Sequence, residues 1–453
     1  MTSPLLVFDN RDGQTVPVGT AYFTWNRGTL STTFQYAPDY LARKDAYAID
    51  PALGLFGGNQ QVSGVPGAFA DCSPDRWGKN LITKRIQAEA LRAGRAVPSL
   101  SEVDFLISVS DLTRQGSLRF KASADGPFLD PDLHVPKMVE LPRLLRAADQ
   151  VARDDGEDSS AIKVLLDAGT GTLGGARPKA SVRDGDRLLI AKFPSTRDQW
   201  DVMAWEKTAL DLADRAGIEV PGNELVRIEG RPVLVLERFD RDGAQRVGYI
   251  SAMTLVEGGD GDVRDYTEVA ETLPEHGAQT SADLRELWRR IAFSVAVHNT
   301  DDHLRNHGFL RHGTAGWRLS PVFDVNPNPI LAEDRVTGIG GARSRADELT
   351  GLMTYADTFD LSQGDAKQIL REIDDATTDW RKVATSHGIS ESECNRFEGA
   401  LETMREPIQA LTSGTTPSSR PGVAPGAQPR VPKGVKGGGR FAARPRREGP
   451  PLT

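Results

Sequence analysis

The 453-residue chain has only two cysteines, Cys72 and Cys394, which excludes a disulfide framework and fits a reducing compartment. No apolar run approaches the length that spans a bilayer. The opening residues, MTSPLLVFDNRDG, lack a basic stretch followed by a long apolar core, so no signal peptide is expected. Nowhere does G-x-x-x-x-G-K-[ST] occur, which excludes a Walker A phosphate loop. A cytoplasmic protein without a membrane segment is the expectation. The 38% hydrophobic content suits a sizeable core, and the length predicts two or three domains.

What is present is concentrated between His298 and Pro329. Asp301 is followed five residues later by Asn306, and Asp324 closes an apolar run. Acid, amide and second acid in that order suit phosphoryl transfer. The first Asp accepts or orients the acceptor hydroxyl proton, and the Asn and second Asp hold magnesium. D-x4-N is also the spacing of the protein-kinase catalytic loop, although no HRD precedes it here. Asp and Asn are common in turns, so the pattern gains weight only from its surroundings. Four of the seven histidines, His298, His303, His307 and His312, lie in this stretch. Their spacings are not those of the usual zinc signatures, and neither cysteine is near.

The surroundings agree. Thr280–Val297 has helical apolar spacing, with Thr280 and Asp283 as a capping-box-like start. Phe309–Leu310 and Trp317–Leu319 read as two short strands, which would bring Asp301 and Asp324 together. Upstream, GTGTLGGARPK (169–179) is glycine-rich and basic at its exit, as a phosphate cradle or a flexible linker would be. Lys192 ends an otherwise apolar strand, where an ammonium is costly without a partner. Glu206, on a helix expected over about 198–216, is the candidate carboxylate, although a solvated helix face would also carry a Glu there. A hairpin follows, Leu225–Ile228 and Val233–Asp240, after which the chain would leave at a hinge.

With these elements in order, the sequence resembles the HipA-type serine/threonine kinases, the toxin component of HipA/HipB toxin–antitoxin modules. The resemblance runs from about residue 15 to 410, through GAFADCSPDRWGKNLITKR, GGARPKA, IAKFPS, LERFDR, RVGYISAMTL, NTDDHLRNHGFL and LSPVFDVNP. It implies an α+β, two-lobed protein-kinase-like fold with a small N-terminal β-rich domain. It also implies ATP and Mg2+ as cofactors. Asp301 would be the catalytic base, with Asn306 and Asp324 on the metal and Lys192 on the phosphates. Leu173, Gly174, Gly175, Ala176 and Lys179 would cover the nucleotide. Glu237 and Phe239 would offer backbone to adenine, Asp240 would lie near the ribose, and His303 would sit beside the nucleotide. Thr172 occupies the position at which some members autophosphorylate a serine, with Thr170 and Ser181 as neighbours. The implied partners are a small helix-turn-helix antitoxin, operator DNA through it, and a protein acceptor such as an aminoacyl-tRNA synthetase. Two departures stand out. Arg305 replaces a lysine common among other members, and Asp324 is followed by Val-Asn rather than Phe-Gly. A catalytically silent co-repressor and a small-molecule kinase are the competing readings.

The expected division is a β-rich region over 1–105, an N-lobe over 106–245, a helical C-lobe over 246–412 and a tail over 413–453. A long helical region is expected over 363–387, and a helix over 74–92. The tail holds 8 prolines, 8 glycines and 8 Lys/Arg against one Glu, the composition of a disordered segment. Its net charge of +7 in a chain of −8 leaves the rest near −15. Direct DNA contact would therefore depend on the tail, and its deletion is expected to weaken DNA retention at low salt. A solubilising tail is the alternative.

Overall fold

Alternation of apolar and polar residues builds the first sheet. In β1 (Leu5–Arg11), β2 (Gln14–Asn26) and β3 (Thr29–Tyr36), every second side chain of β1 and β3 is buried. The β2–β3 turn places Arg27 and Gly28 at φ 50° and 85°, the left-handed pair that a two-residue hairpin demands. β4 (Gln60–Ser63) and β5 (Leu118–Lys121) complete an antiparallel sheet in the order β4-β3-β2-β1-β5. The fifth strand lies beyond residue 105, so this region draws on chain that was expected to belong to the N-lobe.

The computed structural model describes residues 4–11, 13–129, 135–153, 159–169, 177–259 and 261–413. Thr170, Thr172, Leu173, Gly174, Gly175, Ala176 and the tail from 414 lie outside them.

Between β3 and β5 the chain forms α1 (Pro38–Leu41), α2 (Gly67–Asp71), α3 (Arg76–Arg92) and α4 (Glu102–Ile107). α3 starts at Arg76 because the Asp75 side chain caps it, accepting from Gly78 N at 2.6 Å. Its Trp77 and Leu81 do not pack on the first sheet. They join a second core with α5 (Leu141–Arg153), α6 (Ser159–Asp167) and one face of the next sheet.

That next sheet contains β6 (Lys179–Asp184), β7 (Arg187–Lys192), β8 (Asn223–Ile228) and β9 (Arg231–Glu237), in the antiparallel order β6-β7-β9-β8. Val233–Leu236 is buried on both faces, which explains its unbroken apolar run. Glu229 (φ 51°) and Gly230 (φ 78°) make the expected tight turn between β8 and β9. α7 (Val202–Arg215) is capped by Asp201 and ends at Gly217, which takes φ 72°. Trp205 on α7 stacks on Phe397 at 3.9 Å, tying this lobe to the helical one.

The two-residue strands β10 (Arg241–Asp242) and β11 (Gln245–Arg246) lead into β12 (Tyr249–Ser251). β12 pairs with β13 (Gly308–His312), which pairs with β14 (Gly316–Leu319). The helical lobe holds α8 (Ala252–Leu255), α9 (Tyr266–His276), α10 (Thr280–Ala296), α11 (Glu348–Thr354), α12 (Gln363–Thr377), α13 (Trp380–Ser386), α14 (Glu391–Glu402) and α15 (Arg405–Ser413). Two expectations fail here in detail. The helical region over 363–387 breaks between Thr377 and Trp380, where buried Thr377 turns its hydroxyl back onto Ile373 O at 2.9 Å. The capping box at Thr280 is absent: Gln279 is the cap residue without a side-chain bond, and Asp283 instead accepts from Leu319 N at 3.2 Å. Among the described residues, no helix is long and apolar enough to cross a membrane.

Candidate active site

α10 delivers the chain into a loop whose backbone is held from several sides. His298 takes φ 53°, a left-handed conformation that is uncommon outside glycine and asparagine. Ser294 Oγ donates to Asn299 O at 3.0 Å, and Asn328 Nδ2 donates to Thr300 Oγ1 at 2.8 Å. Asp302 turns inward. It accepts from Tyr266 OH at 2.7 Å and sits 3.0 Å from His307 Nε2. Burial works to raise the Asp302 carboxyl, but His307 and Arg335 outweigh it and hold it well below the usual range. Because Asp302 faces in, its neighbour Asp301 faces out.

Asp301 lines a cleft of about 600 Å³ together with His303, Arg305, Asn306, Phe323 and Asp324. It keeps an exposed edge toward the cleft. The surrounding walls desolvate its carboxyl and raise it above the ordinary value; His303 opposes the rise and Asp324 adds to it. Asn306 lies in a 3-10 turn over Leu304–Asn306. Its Nδ2 donates to Asp301 O at 3.3 Å, which orients the amide and leaves Oδ1 as a potential ligand. Asp324 adopts φ 59°, a strained conformation of the kind that collects at functional sites. The β13–β14 hairpin thus brings the two acids to one cleft, as expected.

Behind Asp324 lies the lysine. Lys192 Nζ is 2.5 Å from Glu206 Oε1 and 2.8 Å from Asp324 Oδ1. Its side chain is 8% exposed and that of Glu206 is 1% exposed, so neither charge has solvent as an alternative partner. Desolvation works against the ammonium, yet the two carboxylates raise it above its ordinary value. Burial acts to raise Asp324 too, but Lys192 and then Lys179 bring it down to about 2. Glu206 is raised, because burial dominates over its share of the lysine. The arrangement is a protonated lysine locked to an ionised Asp324, with Glu206 fixing the lysine from behind.

Other expected residues fall elsewhere. Lys179 is not a solvent-facing cover of the nucleotide. It is 2% exposed and bonds Asp75 Oδ2 at 2.7 Å. Asp240 is not open to a ribose. Its oxygens are taken by Arg238 Nε and Nη2 (2.8 and 2.6 Å), Arg241 Nη1 (2.8 Å) and Gly116 N (2.7 Å). Those arginines, against the effect of burial, depress its carboxyl strongly. Glu237 directs its N–H to Gly222 O at 2.7 Å and its carboxylate to Arg187. Phe239 packs between Tyr249 and Phe323, with ring centroids 6.2 and 5.5 Å away, and so backs the cleft wall. Asp71 and Asp75 also line the cleft, and neither they nor the inward-facing Asp302 were expected there. The first two lie in ADCSPDRWGKN, which was noted only as part of the resemblance.

Among the described residues, no group of three or more His, Cys, Asp or Glu is placed to hold a metal ion. A magnesium bound mainly through nucleotide phosphates needs only one or two protein oxygens. Asp324 and Asn306 line one cleft, where Asp324 Oδ2 and Asn306 Oδ1 would be such a pair.

Two lobes, a lysine–glutamate pair and an acid–amide–acid loop define a protein-kinase-like fold. The comparisons carry this further. Residues 171–380 match the family model of the HipA-like C-terminal domain. A Haemophilus influenzae protein named "Putative kinase" is 29% identical over 148 residues, which covers 28% of this chain and 42% of that protein. "Putative kinase Y4mE" of Sinorhizobium fredii is 25% identical over 185 residues, 37% of this chain and 42% of that protein. The matches to these two relatives thus span less than half of their length. "Putative kinase Y4dM" of the same organism is 24% identical over 302 residues, 55% of this chain and 70% of the relative. Among solved structures, HipA of Shewanella oneidensis, in complex with HipB and its operator DNA, superposes with a TM-score of 0.63. At 14% identity, over 89% of this chain and 96% of that one, it shares the fold.

Proposed function

We propose that this chain is an ATP- and magnesium-dependent protein serine/threonine kinase of the HipA type. The observation that carries the reading is Lys192, bonded at once to Glu206 and to Asp324 on the cleft that also holds Asp301 and Asn306. In kinases this lysine contacts nucleotide phosphates and its glutamate fixes it. Asp324 and Asn306 would hold magnesium, whose charge would stabilise the phosphates during transfer. Asp301 orients the acceptor hydroxyl and takes its proton at a carboxylate oxygen, and its raised carboxyl makes it a better base than an ordinary Asp. Asp302 keeps Asp301 turned toward the cleft.

The acceptor would be a serine or threonine of a translation component, such as an aminoacyl-tRNA synthetase, and Thr172 is a candidate for self-modification. The chain would act as the toxin of a module with a small helix-turn-helix antitoxin. The Shewanella structure, which holds HipA with HipB and operator DNA, favours that partnership. The test is calorimetric. ATP should bind in the presence of magnesium, and both Asp324→Ala and Asn306→Ala should remove the magnesium dependence. Magnesium-independent binding in the wild type would refute the assignment. A silent co-repressor would bind no nucleotide, and a small-molecule kinase would bind it without labelling protein.

A further inference from the structure

One short segment of the N-terminal region touches both lobes at the mouth of the cleft. Asp71, the last residue of α2, accepts from Ser251 N at 2.6 Å, Ser251 Oγ at 2.8 Å and Arg305 Nη1 at 3.0 Å. Ser251 and Arg305 belong to the C-lobe, and Arg305 is the residue before Asn306. Asp75, four residues on, bonds Lys179 at the start of β6 in the N-lobe. The segment has little slack. Phe69 of α2 packs on Phe34 and Phe120 of the first sheet, while Trp77 of α3 is fixed in the N-lobe core. Both aspartates are enclosed, with side chains 2% and 5% exposed.

The charge placement explains why an acid is needed at 75. Lys179 and Lys192 are direct partners across the antiparallel pair β6–β7. Residues directly opposite share one face of the sheet, and like charges there repel. Lys192 has Glu206 and Asp324, and Lys179 has Asp75.

We propose that Asp71 and Asp75 are positioning residues of the kinase site: a brace from the N-terminal region that holds the catalytic loop through Arg305 and β6, the strand paired with that of Lys192, through Lys179, and so fixes the spacing of the lobes. This rests on the kinase reading above, but one of its tests does not. Asp75→Asn keeps the α3 cap and removes the charge; Asp71→Asn keeps an acceptor for Ser251. Asp45→Asn, on an exposed ion pair of the same region, is the control. A hydrogen bond to a charged group is worth enough to change a constant about tenfold. Asp75→Asn should therefore raise KM for ATP by about tenfold with kcat changed far less, whereas Asp71→Asn should lower kcat by about tenfold with KM nearly constant. Independently, spin labels on cysteines replacing exposed Arg187 and Lys382 report the lobe-to-lobe distance, since both native cysteines are buried. Both brace variants should broaden that distance distribution and Asp45→Asn should not. Unchanged distances, with no KM-against-kcat split, would overturn the proposal. If the wild type transfers no phosphate, the kinase reading fails while the distances still decide the brace. Circular dichroism checks folding, and if Asp75→Asn does not fold, Asp71→Asn carries both readouts.

Discussion

Lys192→Met tests the electrostatics of the site most sharply. The ammonium bridges two carboxylates, Glu206 at 2.5 Å and Asp324 at 2.8 Å, in a setting where its own side chain is 8% exposed. Methionine fills the stem and removes the charge, leaving Glu206 buried and Asp324, whose side chain is 27% exposed, half-buried without it. Removing one partner of a buried ion pair costs about 3–5 kcal/mol. That corresponds to a shift of roughly a hundred- to several-thousand-fold in the unfolding equilibrium. The loss should depend on pH, and the sign can be worked out. In the wild type Asp324 is held down at about 2, below the ordinary 3.8. A depressed acid contributes stability above its unfolded value and loses it as pH falls through its folded value. From pH 5 to 8 this contribution is constant. In the variant, burial raises both acids unopposed by Lys192. A raised acid contributes stability below its unfolded value and loses it as pH rises through its folded value. The deficit should therefore be largest at pH 8 and shrink toward pH 5. Urea unfolding followed by tryptophan fluorescence at both pH values measures it, with the denaturant slope checked for constancy. A deficit below about 1 kcal/mol, or one equal at the two pH values, would refute the reasoning.

Two further outcomes follow from other residues. Asp301→Asn should lower kcat by about 10²–10⁴-fold while ATP affinity by calorimetry stays near wild type, and the wild-type acid limb of kcat should lie above the ordinary Asp value, because burial raises this carboxyl; near-normal turnover in the variant would remove Asp301 as the base. Arg335→Met should destabilise the helical lobe by about 3–5 kcal/mol in a thermal or urea melt, since it strands Glu348, bonded to Arg335 at 2.6 Å with both side chains under 5% exposed; a change within about 0.5 kcal/mol would show that the pair is dispensable.

Much of the site could be read from local pattern. Lys192 was legible because an ammonium in an apolar strand demands a partner, and Glu206 because a helix of the right order follows. Asp301, Asn306 and Asp324 were legible because their spacing and the hairpin between them are short-range features. The rest depended on partners far apart in the chain. Asp75 and Lys179 are separated by 104 residues, and Asp71 and Arg305 by 234, so no spacing rule reveals them. Asp240 matches a family position, yet nothing nearby in sequence foretells Gly116 as its donor, 124 residues upstream. The α10 helix begins at Thr280 as expected, but its capping box went astray because Asp283, a plausible capping residue, is recruited by the β14 backbone instead. Likewise β5 escaped the N-terminal division because its pairing with β1 closes across more than a hundred residues. Local periodicity predicted elements well; tertiary charge pairing decided which acidic and basic side chains stay free to act.

The central claim is phosphoryl transfer at the Asp301–Asn306–Asp324 cleft. Its most direct test is transfer of labelled γ-phosphate from ATP with magnesium, by the wild type and by Asp324→Ala, in cell extract and with phosphosites mapped. The account predicts label on a serine or threonine, of Thr172 or of an extract protein, that disappears in the variant. No label together with no ATP binding in the wild type, or undiminished label in Asp324→Ala, would contradict it.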